Sequence, residues 1–164
     1  MSPDASPAPN EQARTATAED AVAIVALATD LRAQLETERG GPLWIAHDAL
    51  AAPSAADLTR RLTDDRLATL VGTLDGHVLA YGLAHIEPIT RGDGLLGVID
   101  ELFVAEPARA VGLGETLLHE LVTWCRTTGC SSIDATALPG DRQAKNFFES
   151  AGFKARRLVM HTDL

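Results

Sequence analysis

Basic residues are scarce in this chain: 14 Lys and Arg stand against 23 Asp and Glu, a formal net charge of -9 over 164 residues. A nucleic-acid partner needs clustered cations on its phosphates, so that class is set aside; the acid excess serves solubility first, and a positively charged amine is the electrostatic match if it steers a substrate. Cysteine is limited to Cys125 and Cys130. They form no C-x-x-C pair and no His stands at zinc-ligand spacing, which argues against a disulfide framework and against a metal. No apolar run approaches the roughly 18 residues of a membrane span, and the N-terminus lacks a basic opening followed by an apolar stretch. No membrane partner is expected, and the cytoplasm is the expected compartment. Tyr81 is the single tyrosine, so phenolic hydroxyls for acid–base work are nearly absent.

What is present is an ordinary globular mixture, 46% hydrophobic and 23% charged, in a length that suits one domain. Residues 1–12, with three prolines and no periodicity, read as a tail ahead of a domain over 13–164. A short strand is expected at Arg14–Thr17, then a helix carrying Val22, Ile24, Val25, Leu27, Leu31 and Leu35 to Glu38, ended by Gly40-Gly41-Pro42. Ser54 opens a second short helix with Asp57 three residues on. Apolar, β-rich runs at 67–74 and 77–86 flank Asp75-Gly76, the two-residue turn of a tight hairpin, and another strand covers 97–104. A helix to Thr127, a strand at 132–137, a helix after Asp141 and a last strand at 157–162 complete an α/β (α+β) order with a mixed sheet. His47 beside Asp48 reads as a solvated loop pair, and Cys125 falls on an apolar helical stripe, where it packs.

The most informative segment is ELFVAEPARAVGLGETLL, residues 101–118. Leu102, Phe103 and Val104 have the character of a buried strand, and Pro107 marks its end. Gly112 and Gly114 then bracket Leu113 at the opening of an amphipathic helix. Glycines there allow close backbone approach, and the first helical turn offers unpaired N–H groups at the positive end of the dipole, a place for a pyrophosphate.

Arg109-Ala110-Val111-Gly112-Leu113-Gly114 fits the R/Q-x-x-G-x-G/A pattern, and DRQAKNFFESAGF at 141–153 resembles the later segment, of the GNAT acetyltransferase superfamily. Ile99-Asp100-Glu101-Leu102-Phe103-Val104 looks most like the spermidine/spermine acetyltransferase type. The resemblance implies a mainly antiparallel sheet with helices on both faces and two splayed central strands, with acetyl-CoA in the gap and an amine as acceptor. It extends to this chain the homodimer common in the family. Carried over residue by residue, it gives pantetheine to the backbone of Phe103 and Val104, and pyrophosphate to the amides of Arg109, Ala110, Val111, Gly112, Leu113, Gly114, Glu115 and Thr116. Asp141, Phe147 and Phe148 fall in the later cofactor-contacting segment. Asp100, first, and Glu101, second, become the candidate bases, and strand alternation puts them on opposite faces. Phe148 stands where the pattern commonly has a tyrosine to protonate the leaving thiolate, which leaves water, direct thiolate release, or a distant donor such as Tyr81. The alternative reading is an acyl-CoA-binding regulatory module with reduced turnover.

Overall fold

All neighbouring strands run antiparallel except the last pair, and that exception opens the cleft. The computed structural model describes residues 10–49 and 53–164. Five strands, β1 (Glu11–Thr15), β2 (Leu67–Leu74), β3 (His77–Pro88), β4 (Leu95–Val104) and β5 (Cys130–Ala135), lie in the order β1-β2-β3-β4-β5. β5 is parallel to β4, while the other pairs are antiparallel. The β2–β3 hairpin turns on Asp75 and Gly76, both at positive φ (50° and 83°), the combination a type I′ turn requires.

The helices are α1 (Ala21–Glu36), α2 (Gly41–Leu43), which runs into a π-helical turn at Trp44–Asp48, α3 (Ala55–Leu62), α4 (Leu113–Thr127) and α5 (Arg142–Ser150). Asp20 closes a capping box with Thr17 and takes two hydrogen bonds from Arg14 of β1 (2.7 and 2.9 Å), which ties the first strand to the start of α1. Ser54 caps α3 by accepting from the Asp57 amide, as its sequence position implies.

Each face of the sheet carries its own core. Ile24, Leu27, Leu31 and Leu35 of α1, Trp44 and Leu58 pack on Val71, Tyr81, Leu83 and Phe103. On the other face Leu113, Leu117, Leu118 and Leu121 of α4 pack on Ala80, Ala84, Ile99 and Val104, with Phe147 and Phe148 of α5 beside them. At roughly 1.5–3 kcal/mol per buried leucine, the four of α4 are its main anchor. Close seating is possible because a Cβ at Gly72 or Gly82 would stand 3.1 Å from Leu113 or 2.8 Å from Leu121.

Several boundaries differ from expectation by about two residues, among them the starts of β4 and β5 and the end of β3, and three differences have a physical reason. β1 begins at Glu11, so Glu11 and Gln12 belong to an edge strand, paired with Leu74 and Thr73, because backbone pairing there needs no apolar side chains. The rest of the expected tail lies outside the described residues. β5 ends at Ala135 instead of 137, where it parts from β4. No strand forms at 157–162: Leu158, Val159 and Met160 are exposed, and no backbone bond joins them to the outer edge of β5. A short apolar run becomes a strand only where an edge takes up its backbone groups, and here the segment meets β5 through side chains, with Arg156 paired to Asp134.

Candidate active site

β5 follows β4 only as far as the pairing of Ile99 with Ala135. Beyond it, Leu102, Phe103 and Val104 keep β3 on one side, opposite Gly82, Tyr81 and Ala80, and have no strand on the other. An extended ligand can add to such an edge through main-chain hydrogen bonds. The gap holds two adjoining clefts, partly open to solvent. One of ≈ 500 Å³ is bounded by Trp44, Leu35, Asp100, Glu101, Thr136 and Leu138, and the other, of ≈ 660 Å³, by Phe103, Val104, Arg109, Gly114, Glu115 and Gln143. Leu31, Leu102, Asp141, Ala144 and Phe148 line both, so they form one passage.

The second cleft ends on the glycine turn. A 3-10 turn at Glu106–Val111 leads to Gly112, whose φ of +88° swings the chain into α4. The N–H groups of Leu113, Gly114 and Glu115 lie in the first helical turn, with no intrahelical carbonyl to bond. Thr116 does not join them as expected: its amide and its hydroxyl both donate to the Gly112 carbonyl (3.1 and 3.2 Å), so the donor set ends at Glu115. Leu113 contributes its amide alone, since its side chain is fully buried, while Ala110 is exposed and Val111 half-buried. A Cβ at Gly114 would stand 3.2 Å from Phe147 and 3.4 Å from Val104, so this glycine sets how closely α4, α5 and the strand end converge.

Arg109 reaches back into the passage. Its Nε donates to the Val104 carbonyl (2.8 Å), Nη2 to Gln34 of α1 (2.6 Å) and Nη1 to Gln143 of α5 (3.3 Å), and the guanidinium sits 5.4 Å from the Phe103 ring centre. Asp141 caps α5 through the Ala144 amide (2.9 Å). Phe148 packs at 5.3 Å between ring centres on Phe147 and at the same distance on Phe153.

The two acids do not alternate across the sheet. Leu83 pairs with Glu101 but Ala84 pairs with Ile99, so Asp100 is the extra residue of a β-bulge. Ile99 faces the α4 core, while Glu101 faces Tyr81 and the α1 core. Asp100 turns to the same side as Glu101, where it meets His85 and, at 3.9 Å, Arg61 of α3. The expectation of opposite faces is corrected by this bulge.

Their surroundings separate their roles. Glu101 is fully buried; Oε1 accepts from Arg32 (2.7 Å) and Oε2 from the Tyr81 hydroxyl (2.6 Å). A proton acceptor there would have to give up an ion pair. Asp100 is 14% exposed, and both its oxygens face His85 Nδ1 (2.8 and 3.0 Å). Burial pushes its carboxyl above the usual range, opposed by the His85 hydrogen bond and the nearby charges of His85 and Arg61. Arg61 is itself held by Thr69 and the Ala68 and Ala84 carbonyls, and burial lowers its guanidinium.

Tyr81 cannot serve as the distant donor: it is fully buried, gives its proton to Glu101, and burial with that carboxylate raises its phenol far above the ordinary range. Cys125 packs under Gly97, and burial pushes its thiol up to about 12. The His47–Asp48 pair (2.7 Å) is exposed. His85 is the residue that sequence reading passed over. It sits inside an apolar β-rich run, and its partner, 15 positions away, is identified only by the register of β3 on β4.

The sequence matches the Acetyltransferase (GNAT) family over residues 29–153, more than half the chain. It is 30% identical over 90 residues to a glucosamine 6-phosphate N-acetyltransferase of Trypanosoma brucei brucei, covering 54% of this chain and 59% of that relative. In fold it is similar to the tetramutant of the BH1408 protein of Bacillus halodurans, with TM-score 0.79, 19% identity, and 93% and 99% of the two chains covered. It is likewise similar to the glucosamine-6-phosphate N-acetyltransferase of Arabidopsis thaliana, with TM-score 0.69, 18% identity, and 94% and 98% covered. With the splayed strands, the glycine turn and a family match that spans both, the chain belongs to the GNAT family of acetyltransferases.

Proposed function

We propose that the protein transfers an acetyl group from acetyl-CoA to a primary amine. The observation that carries this reading is the continuous passage from the free amides of α4 to Asp100, along the unpaired edge of β4. Its residues fit the cosubstrate. Leu113, Gly114 and Glu115 offer N–H dipoles to a pyrophosphate. The Ala105 amide bonds to Leu79 of β3, so the Phe103 backbone faces β3 too, which corrects the expectation for that residue. It is Leu102 and Val104, the latter's carbonyl already taking Arg109, that offer the open edge to pantetheine. Acetyl-CoA supplies an activated thioester. Fixed dipoles, and not net charge, explain how an acidic chain holds a polyanion.

At the other end the passage is apolar apart from Thr136 and its acids, of which Glu101 is neutralised by Arg32 and Asp141 caps α5. Asp100, hydrogen-bonded to His85, is the acid left to draw in an ammonium and prepare it for attack. Support for an amine acceptor comes from the family and from the relative that acts on glucosamine 6-phosphate, which makes amino sugars the first amines to try. Coenzyme A release measured across amino sugars, polyamines, amino acids and peptides tests the reading; release above the amine-free rate with at least one acceptor is the expected result.

One observation favours a second reading, a module that binds acyl-CoA without turnover. Phe148 has no hydroxyl and Tyr81 is locked in the core, so among the described residues lining the passage only Thr136 carries one. Tight acetyl-CoA binding with no product from any amine would select that reading.

A further inference from the structure

We infer that the acceptor is an amine with an apolar body and no phosphate or carboxylate of its own. Its ammonium sits among the carboxylates of the ≈ 500 Å³ cleft, and its body lies against Leu31, Leu35, Trp44 and Leu138. The ammonium end of this assignment rests on the acetyltransferase reading, while the body end rests on the cleft itself. Leu31 and Leu35 come from the second half of α1, Trp44 from the π-helical turn and Leu138 from the chain after β5. Three separate parts of the chain thus bring apolar side chains to the same space.

The cations are placed elsewhere. Every Lys, Arg and His of the chain lies among the described residues, and none of them lines this cleft. Arg32 is 2.7 Å from Glu101 Oε1 and lies 5.9 Å from the Trp44 ring centre. Arg61 donates to Thr69 and to the Ala68 and Ala84 carbonyls, 3.9 Å from Asp100. Arg109 belongs to the neighbouring cleft, where it holds Val104, Gln34 and Gln143. Past Leu138, a Cβ at Gly140 would stand 2.7 Å from Glu38 Oε2 and 3.0 Å from the Arg39 amide nitrogen, so the cation of that corner comes with its own acid.

What the cleft does offer matches an ammonium. Its charged side chains are Asp100, Glu101 and Asp141, and Thr136 adds a hydroxyl. An ammonium donates three hydrogen bonds and accepts none, so it complements a lining rich in acceptors. A phosphate in the same space would face those acids without a cation on the lining to pair with, and no contact there offsets its desolvation. A polyhydroxylated body would set hydroxyls against leucine and tryptophan, whereas an aliphatic or aromatic body removes apolar surface from water on both sides.

The test uses the full chain and amines that differ in body: phenethylamine, glucosamine and glucosamine 6-phosphate. Calorimetry on protein loaded with coenzyme A reads binding, and coenzyme A release from acetyl-CoA reads transfer. Both are expected to rank phenethylamine first, with kcat/KM at least about tenfold above that of glucosamine, and glucosamine 6-phosphate last. Leu138→Lys sets a cation on the apolar lining and is expected to narrow the gap between phenethylamine and glucosamine 6-phosphate by about tenfold or more. Glucosamine 6-phosphate bound or acetylated by the wild type as well as phenethylamine overturns the inference. So does an absence of phenethylamine binding, or an unchanged gap in folded Leu138→Lys. Binding in the expected order with no amine acetylated would instead count against the acetyltransferase reading and uphold the preference of the cleft.

Discussion

Tyr81 on β3 gives its hydroxyl proton to Glu101 on β4 across 2.6 Å, in a part of the sheet where neither side chain touches solvent. With Arg32 on the other oxygen, Glu101 pins α1 to the strand that lines the passage. Tyr81→Phe leaves a buried acceptor short of a donor and is expected to cost about 1–3 kcal/mol. Arg32→Met strands the carboxylate and is expected to cost about 3–5 kcal/mol. Urea unfolding checks both, and wild-type stability in Arg32→Met would show that the pair does not hold α1.

The glycine turn gives a second expectation. Gly112 has φ +88°, and a β-branched residue there is strained by about 1–3 kcal/mol, so Gly112→Val should distort the turn that presents the α4 amides. In the folded variant, calorimetry should show coenzyme A affinity at least about tenfold weaker, or about 1.4 kcal/mol. Gly114→Ala meets the Phe147 ring instead, and Phe147→Leu in the same chain should recover part of its loss. Unchanged affinity in folded Gly112→Val would remove the turn from the phosphate site.

Asp100 sets a pH dependence whose sign follows from its burial. Its folded-state carboxyl is raised, so the protonated form contributes stability that is complete below the unfolded value of about 3.9 and lost as pH climbs through the folded value. Asp100→Asn stays neutral and loses nothing over that range. Relative to wild type it should therefore gain stability as pH rises above about 3.9, in urea titrations at each pH. A difference independent of pH would contradict the account. Activity should move the other way, with cofactor affinity nearly intact.

Phe148 lines both clefts and rests on Phe147 and Phe153. Phe148→Leu should lower stability more than the rate of the chemical step. Phe148→Tyr should raise the single-turnover rate by placing a hydroxyl in the passage, since a better leaving-group donor acts on that step alone. A collapse of the chemical step in Phe148→Leu, with stability unchanged, would assign the ring a chemical role.

Much of the fold was legible because its signals are local. Asp75-Gly76, Ser54 with Asp57, and the Arg109–Gly114 turn each owe their shape to residues a few positions apart. The site was legible as far as its backbone parts reach, since the glycines and the strand end stand together in sequence. The proton-handling part was not. Alternation puts Asp100 and Glu101 on opposite faces, and only the register of β3 on β4 reveals the extra residue that places them together beside His85. The run at 157–162 misled for a similar reason: strand propensity is visible locally, but an available edge is not.

The central claim is acetyl transfer along the β4–β5 passage, and single-turnover transfer tests it most directly. Protein loaded with acetyl-labelled acetyl-CoA is mixed with each amine, and N-acetyl product is followed over one turnover. The account predicts product with at least one primary amine, at a rate that falls steeply in Asp100→Asn. Tight acetyl-CoA binding with no product from any amine would contradict it.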